Sequence, residues 1–84
     1  PKIRVNAIAV GSTATSALET VLKNPVVRKA MIDSTPLQRL GEPEDIALGA
    51  LYLASPASAF VTGSVMEIHG GITSANLDLA LAGL

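Results

Sequence analysis

The sequence predicts an α/β chain: the C-terminal piece of a doubly wound parallel-sheet domain, in the order strand, two short helices, longer helix, strand, tail. Three observations carry this prediction. Residues 3–10, IRVNAIAV, are rich in β-branched side chains and almost continuously apolar after Arg4, as in a parallel strand covered on both faces. Residues 61–69, VTGSVMEIH, give a second strand closed by Gly70-Gly71. Between them lie helical patterns opened by proline, as a crossover between parallel strands in one sheet requires.

The first strand, Ile3–Val10, ends at Gly11, and Ser12, Thr13, Thr15 and Ser16 follow as small hydroxyl residues suited to a turn and to capping a helix. Ala17–Lys23 and Val26–Asp33 read as two short helices. Asn24 is the N-cap of the second and Pro25 its first helical position, where a missing N–H is harmless. Ser34–Glu42 is a loop holding Thr35-Pro36, Arg39 and Gly41. The next helix, Pro43–Ala54, places Glu44 and Asp45 in its first turn, where the helix dipole favours negative charge. Its apolar face comprises Ile46, Ala47, Ala50, Leu51, Leu53 and Ala54. Ser55-Pro56 stops it, a turn spans residues 57–60, and the strand Val61–His69 follows. In the tail, residues 72–84, Asp78 is the sole charge, and Leu77, Leu79, Leu81 and Leu84 call for a surface to lie on.

Two strands do not complete a sheet. A buried parallel strand takes neighbours on both sides and cover on both faces, so residues 1–84 are expected to be the C-terminal segment of one larger domain. A hydrophobic content of 49% excludes a disordered chain. Six basic against seven acidic residues, net −1, leave no electrostatic footprint for nucleic acid or an anionic membrane. The apolar runs fall far short of the ~20 residues a bilayer span needs. With no cysteine and a single histidine, no metal site is expected, and the composition suits a cytoplasmic location.

The string IRVNAIAVGSTATSALE, followed by TPLQRLGEPEDIALGALYLASPASAFVTGSVMEIHGG, resembles the last third of a short-chain dehydrogenase/reductase, in order and spacing from Ile3 to Gly71. TPLQRLG and the tail ending NLDLALAGL are most similar to the 7-alpha-hydroxysteroid dehydrogenase-like branch. The resemblance implies a Rossmann domain that uses NAD or NADP to interconvert an alcohol and a carbonyl by hydride transfer, on a steroid-like or other hydrophobic ketone. A 3-oxoacyl-acyl-carrier reductase is the alternative within the class, and a non-catalytic interaction module the alternative outside it. The family's strand ends in Pro-Gly, then three residues, then Thr. Here Gly11 and Thr15 match and Val10 departs. The resemblance sets Val10, Gly11, Thr13 and Thr15 against the nicotinamide, with Thr13 standing where the family has an aliphatic residue that makes contact through its backbone. It also makes residues 12–42 a substrate lid, and residues 43–69 the contact surface of a homodimer or tetramer, with Gly49 at a close helix approach.

No catalytic residue is expected here, because the family's phosphate-binding glycine turn, its Ser and its Tyr-x-x-x-Lys pair lie upstream of this segment. Tyr52 is followed by Leu53-Ala54-Ser55-Pro56 and lacks the lysine four residues on. The 84-residue chain alone is therefore expected to be inactive. Plainer readings stand beside these. Thr15 alone could be a helix cap. His69, at a strand end, is assigned no role. Asn6 is expected to satisfy buried backbone groups. The apolar residues of the two short helices, Leu18, Val21, Leu22, Val26, Val27, Met31 and Ile32, suit either a pocket lining or plain core. Arg39 with Glu42, Glu44 and Asp45 reads as a surface ion-pair cluster.

Overall fold

A computed structural model describes residues 2–71. Strand β1 (Ala7–Val10) leads through a turn and a 3-10 segment (Ser16–Leu18) into helix α1 (Glu19–Leu22), then α2 (Pro25–Asp33), α3 (Pro43–Ala54), a 3-10 turn (Pro56–Ser58) and strand β2 (Val65–Ile68). The two strands pair in parallel, with Ala7 opposite Val65, Ile8 opposite Met66, Ala9 opposite Glu67 and Val10 opposite Ile68. Helix α3 packs on both strands, whereas α1 packs on α2 and neither of them touches a strand. The tail expected to lie on a surface falls outside the described residues.

The helices start where local chemistry dictates. The Asn24 side chain accepts from Val26 N–H at 3.0 Å and Val27 N–H at 3.4 Å, and Pro25 opens α2. At α3 the Asp45 carboxylate reaches back to accept the Glu42 N–H at 2.7 Å, the return arm of a capping box. The far end of α3 is closed by Ser58, which is fully buried and donates to the Leu53 carbonyl at 2.9 Å. The first short helix is tighter than its pattern predicts: Ser16–Leu18 is 3-10 and only Glu19–Leu22 is α-helical.

Both strands are shorter than predicted. Residues 3–6 run alongside 61–64 without a regular ladder, joined by one backbone bond, from the Gly63 N–H to the Val5 carbonyl at 2.7 Å, and otherwise by side chains. Asn6 donates to the Val61 carbonyl at 3.1 Å and accepts the Ser64 N–H at 3.0 Å; Arg4 donates to the carbonyls of Val61 and Leu53, each at 2.9 Å. Gly63, at φ +68°, breaks the second strand before Ser64, so regular pairing begins at Val65. The predicted cover on both faces is also not met among the described residues. Ile8, Met66 and Ile68 are half-buried, while Ala7, Ala9, Val65 and Glu67 on the opposite face are exposed.

Gly49 departs most clearly from expectation. A Cβ there would overlap Ile68 Cδ1 and lie 3.4 Å from Met66 Sδ, so Gly49 is the point at which α3 touches its own β2, not a contact for a second subunit. The large hydrophobic side chains of α3 left exposed are Leu48, Leu51 and Tyr52. The best-buried hydrophobic side chains, Met31 and Leu40, sit with Thr13 and Thr35 around the base of the 12–42 segment, where Thr35 Oγ1 donates to the Met31 carbonyl at 2.7 Å.

Candidate functional site

β1 delivers the chain to a turn at the C-terminal end of the strand pair. Gly11 N–H donates to the Ile68 carbonyl at 2.9 Å, and a Cβ on Gly11 would lie 2.6 Å from both Cα and Cβ of His69. The absence of a side chain at Gly11 is thus required by the chain's own packing. The turn then pairs with the far end of the 12–42 segment. Gly41 N–H donates to the Ser12 carbonyl at 2.9 Å and Ala14 N–H to the Gly41 carbonyl at 2.8 Å, a parallel bridge between Thr13 and Gly41.

The four candidate cofactor residues are brought together along this turn. Val10, half-exposed, ends β1 opposite Ile68. Thr13 is buried; its hydroxyl donates to the Gly11 carbonyl at 3.0 Å and its carbonyl accepts the Thr15 N–H at 2.8 Å. Its own N–H has no acceptor among the described residues. Thr15 has an extended backbone and precedes the 3-10 segment, but its side chain makes no capping bond, so the plain capping reading fails.

Beyond Thr15 lies an open groove of about 490 Å³ lined by Ala14, Thr15, Ser16, Glu19, Leu22, Lys23 and Arg28. Leu22 is the only one of the predicted apolar lid residues to line it. Met31 belongs to the core, and Val21 and Val26 are exposed. A second, smaller cavity of about 50 Å³ lies between the end of the 12–42 segment and the end of β2, among Ser12, Thr35, Leu37, Arg39, Gly41, Asp45, His69 and Gly70.

Arg39 and Asp45 form a bidentate pair, Nη1 to Oδ2 at 2.9 Å and Nη2 to Oδ1 at 3.1 Å. The guanidinium hydrogen bonds, with the Glu42 N–H, hold the Asp45 carboxyl down at about 2, and the same pairing raises Arg39. The expected ion-pair cluster therefore narrows to one pair that also caps α3. His69, given no role from sequence, is engaged at both ring nitrogens: Nδ1 accepts the Gly71 N–H at 3.0 Å and Nε2 lies 3.1 Å from Glu67 Oε2. Its position before two glycines was the available signal. Tyr52 lies on the exposed flank of α3, and no metal-holding group of acidic, His or Cys residues occurs among the described residues. No helix among them is long and apolar enough to cross a membrane.

This strand, turn, crossover and parallel return define part of a Rossmann-type α/β domain. The family described as Enoyl-(Acyl carrier protein) reductase matches residues 1–73, and the chain belongs to the short-chain dehydrogenase/reductases. An uncharacterised oxidoreductase of Mycobacterium tuberculosis is 56% identical over all of this chain and 32% of its own length. The 7alpha-hydroxysteroid dehydrogenase of Escherichia coli is 46% identical over 82% of this chain and 27% of its own. A structure of a 7alpha-hydroxysteroid dehydrogenase with NADH and 7-oxo glycochenodeoxycholic acid superposes at a TM-score of 0.72, with 46% identity over the same 82% of this chain and 27% of its own. An NADPH-bound short-chain oxidoreductase of Pseudomonas aeruginosa, with an atypical catalytic centre, superposes at 0.72 with 33% identity over 84% of this chain and 29% of its own. The chain spans about a third or less of the length of these relatives.

Proposed function

We propose that this chain supplies the nicotinamide-side turn and the substrate lid of an NAD(P)-dependent oxidoreductase that interconverts an alcohol and a carbonyl. One observation supports the reading: on the turn at the C-terminal end of β1, the N–H of the buried Thr13 has no acceptor among the described residues, and beside it the exposed Thr15 hydroxyl caps no helix and is open to a ligand. A carboxamide offers one acceptor and two donors, and this pair of groups fits it. The cofactor, when bound, supplies the hydride. This chain's residues hold the carboxamide through Thr13 and Thr15, while Gly11 brings the turn close to β2 and the Thr13 to Gly41 bridge fixes its direction.

Residues 12–42 act as the lid over the substrate, with the groove beside Thr15 as the point of entry. The likeness to a 7alpha-hydroxysteroid dehydrogenase favours a steroid-like ketone or alcohol. Assembly as a homodimer or tetramer runs through residues 43–69, where Leu48, Leu51 and Val65 expose apolar area, and a chain without cysteine suits a cytoplasmic setting. The test is Thr15→Ala in an enzyme carrying this segment. The KM for the nicotinamide cofactor rises while the melting temperature stays put; an unchanged KM overturns the assignment.

A further inference from the structure

His69 stands between the two ends of the 12–42 segment. At the entry, its Cα and Cβ occupy the space that a side chain on Gly11 would need. At the exit, its ring sets the corner that receives Thr35, Pro36 and Leu37. Nδ1 accepts the Gly71 N–H at 3.0 Å, across a corner in which Gly70 and Gly71 have φ of +65° and +101°. That corner turns the Gly70 carbonyl to accept the Leu37 N–H at 3.1 Å. A Cβ on Gly70 would lie 2.7 Å from Thr35 Cγ2, and one on Gly71 would lie 2.8 Å from Pro36 Cγ, so the exit turn of the 12–42 segment is seated directly on the two glycines.

We infer that His69 is a positioning residue: its imidazole, accepting at Nδ1, latches the exit of the 12–42 segment to the end of β2. The lone pair of Nδ1 is what the Gly71 N–H needs. With Nδ1 accepting, Nε2 faces Glu67 Oε2 at 3.1 Å, and the two contacts together orient the ring. The other charged groups at this cavity, Arg39 and Asp45, are satisfied by each other in a bidentate pair. Loss of the Gly71 bond frees the glycine corner, and with it the carbonyl that holds Leu37.

The lid's role in substrate binding rests on the function proposed above, but the latch does not, and its test reads no cofactor. Amide hydrogen-exchange protection at Gly71 and Leu37 is measured on the full chain and corrected for intrinsic exchange. Protection at both amides falls roughly five-fold, the weight of one hydrogen bond, in His69→Ala. His69→Asn, whose side-chain carbonyl can accept the same N–H, restores it. The latch is overturned by an absence of protection in the unsubstituted chain, by an Ala variant protected as well as that chain, or by an Asn variant no better protected than the Ala variant. Failure of the nicotinamide reading would instead show in the cofactor KM of Thr15→Ala and leave these exchange rates untouched.

Discussion

Gly11 and His69 are in such close backbone contact that a single methyl group on Gly11 would sit 2.6 Å from two carbons of its neighbour. The neighbouring atoms are backbone and Cβ, which cannot swing aside as a flexible side-chain end can. Gly11→Ala should therefore destabilise the fold by about 1–3 kcal/mol, the usual range for overpacking. Chemical denaturation of the two proteins side by side measures it, and equal midpoints would show that β1 and β2 separate more easily than their pairing suggests.

Thr15→Ala separates two functions of a hydroxyl. Because its side chain caps nothing, stability should hold, while a lost bond to the carboxamide costs about 0.5–1.5 kcal/mol, seen as a several-fold rise in the cofactor KM. Steady-state kinetics with a melting curve gives both readings. The 84-residue chain by itself should show no turnover with NADH or NADPH, since its described residues include no Tyr-x-x-x-Lys pair.

Gly49 and Leu51 should behave oppositely. Gly49→Glu forces a carboxylate against Ile68 and Met66 and should lower the melting temperature of the chain itself. Leu51→Glu alters an exposed residue and should leave folding nearly unchanged while weakening self-association. Light scattering paired with thermal melting distinguishes them; a stable but monomeric Gly49→Glu variant would return Gly49 to the subunit interface.

Acid should loosen the start of α3. The folded Asp45 carboxyl is depressed to about 2 from an ordinary 3.8, so its contribution is complete above about pH 4 to 5 and disappears as the pH falls toward 2. Asp45→Asn should flatten that part of the stability profile, and so should Arg39→Ala, because the guanidinium bonds are the largest cause of the depression. Melting temperatures recorded between about pH 5 and pH 2 test this; a variant with the wild-type slope would assign the acid sensitivity elsewhere.

How far the fold could be read from sequence depended on whether the deciding interaction was local. The two main helices were legible because Asn24-Pro25 and Pro43 with Asp45 act within one turn, and the observed bounds of α3 agree with the predicted ones. The strands were overextended because Arg4 and Asn6 satisfy carbonyls at Leu53 and Val61, partners about fifty residues away that no pattern announces. Gly49 was misassigned for the same reason. A small residue on a helix signals a close neighbour without saying which, and here the neighbour is the chain's own β2. At the turn, the resemblance pointed to Thr13 and Thr15 as candidates, but the close approach of Gly11 and His69 became visible only in three dimensions.

The bridge between Thr13 and Gly41 has a consequence for how such a protein diversifies. Residues 14–34 leave the framework at this joint and return to it where Thr35 and Leu37 meet Gly70 and Gly71, and neither α1 nor α2 touches a strand, so the two helices form a cassette coupled to the sheet only at its ends. The entropy of closing a loop rises only with the logarithm of its length, so a longer or shorter cassette between Thr13 and Thr35 costs the scaffold little. Insertions and exchanges can accumulate there while the turn held by Thr13 and Gly41 is inherited intact.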